Sequence, residues 1–235
     1  MDFSLLGWGN AGWGDEFLLG MLVTFAVATC AFLLSLVFGT IFAAAKLSRF
    51  RLLRLVGEIY TTLLRGIPEL LVIYLVFFGS GMFLRSIAKG LFGFEGYIDP
   101  PVFIVGVFCI GLSAGAYSTE VIRGAVLTIP KGEVEAAKAM GMSNTLRFRR
   151  ILVPQAARFA LPGLGNIWQF TLKETSLISI VGLVEIMRAA AFGAVSTRQP
   201  FTFYITAFIL FLFLASVSNR GFLMAEKWAS RGVRR

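Results

Sequence analysis

The chain has 235 residues, 57% of them hydrophobic and only 15% charged, with a mean hydropathy of +0.80 and a net charge of +9. A soluble domain carries about 25% charged residues to cover its surface, so the composition excludes a water-soluble protein and points to one all-α polytopic membrane domain over residues 1–235. The absence of histidine excludes imidazole metal sites and histidine-based catalysis.

The first 17 residues carry Asp2, Asp15 and Glu16 but neither Lys nor Arg. A cleavable signal peptide starts with positive charge, so this stretch is expected to be a mature N-terminus with Trp8 and Trp13 at an interface. Residues 18–45 are uncharged for 28 positions, which at about 1.5 Å per residue exceeds the roughly 30 Å of a bilayer core. They form the first predicted span, and Lys46, Arg49, Arg51 and Arg54 follow at once. The second span is predicted over residues 61–83, with Arg65, Pro68 and Glu69 at its inner end, where long side chains reach the headgroups.

A loop with Arg85, Lys89, Glu95 and Asp99 leads to the third span, 102–121. Gly106, Gly111 and Gly115 within it permit a neighbouring backbone to approach closely. The fourth span is predicted over 159–184 and the fifth over 201–223, joined by a loop, 185–200, whose basic residues are Arg188 and Arg198. Cys30 and Cys109 lie inside apolar segments and read as small packing residues.

Five spans place the two ends on opposite sides. The first loop, the stretch 123–158 and the tail (Arg220, Lys227, Arg231, Arg234, Arg235) hold 16 Lys or Arg on one side, against four on the other. The positive-inside bias then puts the N-terminus outside and the C-terminus in the cytoplasm. The net positive charge is therefore topological, and nucleic acid is not expected as a partner.

One long polar insertion, 130–154, interrupts the apolar pattern. Pro130 has no backbone donor to lose and can start a short helix with Val134, Ala137 and Met140 on one side. Gly141 tolerates the left-handed conformation that ends it, and Ser143 can cap a second helix carrying Arg147, Arg149 and Arg150 until Pro154 closes it. The product is a rigid cytoplasmic elbow. On physical grounds alone it could equally be a basic loop lying on headgroups.

Glu135-Ala136-Ala137, Gly141 and the distal Ile151 and Pro154 resemble the EAA loop of the membrane permease subunits of ABC importers. The flanks, Ile129 to Gly132 and Arg158 to Trp168, resemble the polar amino acid branch. Within that branch the chain looks closest to the Q-type subunit of histidine/lysine/arginine/ornithine and octopine or nopaline uptake systems. The resemblance runs from about residue 18 to the C-terminus. It implies a type I importer fold, five membrane helices and a coupling helix that docks into a groove on a separate ATPase. It also implies a second permease in a heterodimer, two copies of the ATPase with its ATP and Mg, a periplasmic substrate-binding protein and an inner-membrane location. No G-x-x-x-x-G-K-[ST] loop occurs in this chain, so it is expected to hold no nucleotide or other cofactor itself.

Inside the spans, Asn166, Gln169, Lys173 and Ser176 recur at i, i+3, i+7 and i+10, on one face of a helix, and Glu174 sits about 100° away. A lysine at mid-membrane costs about 2.5 to 3.5 kcal/mol, so this face should look onto water, substrate or a partner charge. Lys173-Glu174-Thr175-Ser176-Leu177 resembles the K-[DE]-T-S-L segment of the polar amino acid permeases, which lies in the helix lining their path. A second stripe, Ser113, Tyr117 and Glu120, ends near Arg123. The plainer alternatives are a local Glu120–Arg123 pair and interhelical hydrogen bonds from Asn166 and Gln169. Glu120 and Glu174 would suit a cationic substrate such as a basic amino acid or an opine. No nucleophile set or poised acidic pair suggests an enzyme. The rival readings are a secondary transporter or channel using Glu120, Lys173 and Glu174, and a non-transporting scaffold.

Overall fold

The computed structural model describes residues 3–9, 12–92, 96 and 101–230. Asp2, Glu95, Asp99, Arg231, Arg234 and Arg235 lie outside them. The described residues are helical and contain no strand. In order, α1 is Gly14–Leu47, α2 Arg51–Gly66, α3 Glu69–Phe92, α4 Val102–Thr128, α5 Lys131–Ala139, α6 Asn144–Arg147, α7 Val153–Glu174, α8 Ile186–Thr197 and α9 Pro200–Ala229. Four stretches, Gly14–Leu47, Glu69–Ile87, Val102–Thr128 and Pro200–Ala229, are long and apolar enough to cross a membrane. The pair Asn144–Val181 and Ile186–Thr197, bent by 50°, passes the same test together and makes a fifth crossing if taken as one broken span.

The centre of the molecule is the parallel pair α1 and α4. Small residues every fourth position on α1, Ala31, Ser35, Gly39 and Ala43, are buried against Gly111, Gly115 and Ser118 of α4. A Cβ on Gly39 would come within 2.6 Å of Ser118 Cβ, and one on Gly111 within 3.1 Å of the Ala31 carbonyl. The hydroxyls of Ser35 and Ser118 share a hydrogen bond of 3.2 Å across the contact. Lipid offers apolar side chains no incentive to leave it, so close backbone approach and buried hydroxyls hold such pairs together. Around this pair, α7 packs on α4, and α9 packs on α7 through Phe222 and Trp168, whose ring also meets Phe32 of α1, and on α8 through Phe203 against Gly193.

Three predicted boundaries are corrected. The second span does not begin at 61: α2 ends at Gly66 and α3 begins at Glu69, because Pro68 forces Ile67 out of helical geometry (φ −103°, ψ 137°). The fourth span is interrupted, since α7 tightens after Glu174 into a 3-10 segment, Thr175–Val181, that stops at Gly182 with φ 108°. The predicted loop 185–200 is helix α8, capped by Glu185, whose carboxylate accepts from Arg188 N at 2.9 Å. Glu185 is fully buried and also accepts from Thr24 of α1, so its charge marks an internal cap and not a solvent loop.

At the N-terminus, Trp8 is exposed as an interfacial ring would be. Trp13 instead sets its edge on the buried Phe203 ring at 5.6 Å.

Candidate functional site: a polar cleft at two helix breaks, and an exposed elbow

The break between α2 and α3 and the end of α7 lie against the same stretch of α4. Glu69, at the start of α3, receives a long hydrogen bond of 3.5 Å from Tyr117 Oη of α4. Glu174, the last residue of α7, lies on the other side of a small gap lined also by Ile73, Cys109, Ser113 and Phe170. The gap has about 0 Å³ of room for water. One oxygen of Glu174 is buried and has no hydrogen-bond partner among the described residues. Two carboxylates facing one dry space repel each other, and the arrangement is relieved by a cation between them. Broken membrane helices supply such polar positions because their unwound ends free backbone and side-chain groups that a continuous helix would engage.

Towards the inner end of α4, a second cluster is already neutralised within the chain. Lys46 of α1 is 4% exposed and reaches Glu58 of α2 at 2.9 Å, Thr61 Oγ1 at 3.0 Å and a carboxylate oxygen of Glu120. The other Glu120 oxygen accepts from Arg123 at 3.0 Å. Tyr60 fixes α2 from the same side: its ring stacks on Phe42 at 3.8 Å, and its hydroxyl donates to the Leu112 carbonyl at 2.7 Å. Between the two clusters stands Arg65, whose guanidinium lies 5.4 Å from the Tyr117 ring centre. Arg65, Tyr117 and Glu120 border both a cavity of about 540 Å³ and a second of about 340 Å³ reaching Asn166 and Phe170.

The polar insertion folds as an elbow. Helix α5 ends in a pair of bonds, Met142 N to Ala137 O at 3.1 Å and Gly141 N to Lys138 O at 3.0 Å, with Gly141 at φ 75°. This closure satisfies carbonyls left free at the helix end, and it needs a residue without a Cβ penalty at the left-handed position. Ser143 Oγ then accepts from Leu146 N and caps α6. Gln155 donates to Glu133, tying the far arm back to α5.

Pro154 does not close the second arm. The chain runs from α6 through a π turn, Phe148–Leu152, directly into α7, with Pro154 at its second position. The wide turn removes the carbonyl clash that a proline imposes on an α-helix. Glu135 and Ala136 are exposed, Ala137 is buried and Met140 is 84% exposed at the bend.

The sequence pattern described as "Binding-protein-dependent transport system inner membrane component" matches residues 35–222. The nopaline transport system permease protein of Agrobacterium fabrum is 69% identical over 234 residues, covering 100% of this chain and 99% of that one. The histidine/lysine/arginine/ornithine transport system permease protein of Escherichia coli is 40% identical over 224 residues, covering 95% and 97%. A crystal structure of an amino acid ABC transporter with histidines superposes with a TM-score of 0.77 at 26% identity, over 92% of this chain and 94% of that one.

The chain belongs to this family of transport permeases. It is a membrane-embedded component of a binding-protein-dependent transport system, and the relatives named here are transport subunits, not enzymes.

Within this permease, the predicted stripe on α7 divides. Gln169 donates to the Ala215 carbonyl of α9 at 3.1 Å, so it joins helices and does not share an open face with Asn166. Lys173 is exposed, and Ser176 lies past the switch to 3-10 geometry with its hydroxyl on the Lys173 carbonyl. Asn166, Phe170 and Glu174 of α7, spaced by four, meet the cleft, together with Gly163 and Ile167. Of the second predicted stripe, Ser113 lines the small gap and Tyr117 and Glu120 border the two cavities, with Glu120 held by Lys46 and Arg123.

Sequence reading missed Lys46, Arg65 and Glu69 as cleft residues, having assigned them to the inner membrane face, and gave Glu58 no role. The available signal was the Gly66-Ile67-Pro68 break itself, which separates Arg65 and Glu69 from a continuous helix.

Proposed function

We propose that this permease forms one half of the pathway of an ATP-driven importer for basic amino acids or opines. The observation that carries the substrate class is the approach of Glu69 and Glu174 to one dry gap beside Tyr117, with a Glu174 oxygen left unpartnered. The gap has no room for a water as it stands, so a guanidinium or ammonium group enters between the two carboxylates only as the helix breaks part during transport. The names of the relatives, nopaline for one and histidine, lysine, arginine and ornithine for the other, support the same chemistry. Asn166 and Lys173, both exposed, and the half-buried Ser176 form the polar edge of that pathway and face a second, similar permease in a heterodimer. Gln169 keeps α7 on α9, and Glu120 holds the inner wall.

Coupling runs through the elbow. Glu135, Ala136, Ala137 and Gly141 seat on a separate ATPase, two copies of which bind ATP and Mg, while Ile151 and Pro154 pass the movement to α7. A periplasmic binding protein delivers substrate, with the N-terminus outside and the C-terminus in the cytoplasm. The test is uptake of labelled arginine and labelled nopaline by vesicles holding the complete transporter, with and without internal ATP. Uptake of either that requires ATP and the binding protein is expected. Uptake that continues on membrane potential after ATP is exhausted would select a secondary transporter instead.

A further inference from the structure

We infer that Arg65 is the carboxylate-recognising residue of the substrate site, so that the cleft reads both ends of a zwitterion along the Tyr117 ring. This rests on the reading of the Glu69 and Glu174 gap as the cation end. The charges in the cleft separate into two sets. Lys46, Glu58, Glu120 and Arg123 are two cations and two carboxylates bonded to one another, and they leave nothing for a ligand. Arg65 has no carboxylate partner among the described residues, and its only partner there is the face of Tyr117.

The Tyr117 side chain sets the layout. Its hydroxyl points to Glu69 at 3.5 Å, and its ring carries the Arg65 guanidinium at 5.4 Å from the centre. A cation held by a ring face keeps its N–H groups free in plane, where a carboxylate binds two of them at once. Arg65 borders both cavities, about 540 and 340 Å³, which is the size range of small-ligand sites. One guanidinium and two carboxylates complement a ligand with one carboxylate and two cationic groups, as in arginine. Lys173, the next cation along α7, is exposed and borders neither cavity.

The experiment compares arginine with agmatine, which keeps the guanidinium and amine but has no carboxylate. Both are titrated against the purified, fully assembled transporter without its binding protein, with nopaline as a further probe. The wild type should bind arginine more tightly than agmatine by roughly 10- to 100-fold, the scale of a charge-assisted hydrogen-bonded pair. In Arg65→Gln, arginine should weaken to the agmatine level while agmatine stays within about twofold, which also reports an intact fold. Arg65→Lys keeps the charge without the fork and should retain an intermediate preference. If Arg65→Gln does not assemble, Arg65→Lys decides: an unchanged arginine-over-agmatine ratio overturns the assignment. Equal weakening of both ligands in Arg65→Gln, or an undiminished preference for arginine, also overturns it and leaves the cation site standing. A wild type that binds neither arginine nor nopaline removes the substrate reading and this inference together.

Discussion

The elbow and the cleft are both polar features in an apolar chain, yet they are built in opposite ways. The elbow is made from consecutive residues: the bonds of Gly141 and Met142, the Ser143 cap and the Gln155 tie all span 22 positions or fewer. The cleft joins Lys46 to Glu120 over 74 positions and Glu69 to Tyr117 over 48. A local device is closed by its own short-range bonds and moves as a unit. A device assembled from five helices, α1, α2, α3, α4 and α7, depends on every contact that sets their spacing.

That contrast predicts a graded set of outcomes. The largest effect belongs to the support of the cleft: a Cβ on Gly115 would stand 2.6 Å from Tyr60 Oη and 2.8 Å from Phe38 Cβ, so Gly115→Leu forces α1, α2 and α4 apart. Overpacking of this kind costs at least about 1 to 3 kcal/mol, and the yield of assembled transporter from membranes should collapse. A normal yield would show that the helices repack freely and that the cleft is less constrained than its contacts imply.

Glu174→Gln should assemble at wild-type yield but lose uptake, with substrate affinity weakened by roughly 10- to 100-fold, as expected when a charged hydrogen bond is removed. Retained uptake of a cationic substrate would move the cation site elsewhere.

On the elbow, a Cβ at Gly141 meets no neighbouring atom within 4 Å, so the main cost of Gly141→Leu is the positive φ, about 1 to 3 kcal/mol. Uptake per ATP hydrolysed should fall by roughly tenfold while the complex stays intact. An unchanged ratio would detach the bend from coupling.

The smallest effect is Ser143→Ala, which loses a cap worth about 1 kcal/mol and should lower the melting temperature slightly, leaving the uptake-to-hydrolysis ratio near wild type. A loss as large as that from Gly141→Leu would make the capped turn, and not the glycine, the working element.

Most of the elbow was readable in the sequence, because caps and left-handed glycines act within a few residues. Pro154 was misread because a π turn, which accommodates it, has no residue signature. The apolar runs announced the membrane helices, but Ile67-Pro68 and Gly182 cut two of them: the first break is marked by Pro68 and by the charges of Arg65 and Glu69, whereas nothing in charge or hydropathy marks the second. Glu185 is the sharpest case: an acid beside an apolar segment reads as a loop, yet it is buried as the cap of α8.

Composition alone required a helical protein in lipid, since only helices or closed barrels satisfy backbone groups there and the apolar runs have helical length. Short-range chemistry also determined the elbow, whose bonds close before any distant residue is needed. Which charges neutralise one another was decided only by packing. Lys46 faces Glu120, and Arg65 is left with Tyr117, because α1 and α4 meet at small residues and α2 is pinned by Tyr60. Electrostatic partnership depends on distances of a few ångströms between helices, and no spacing along one helix encodes them.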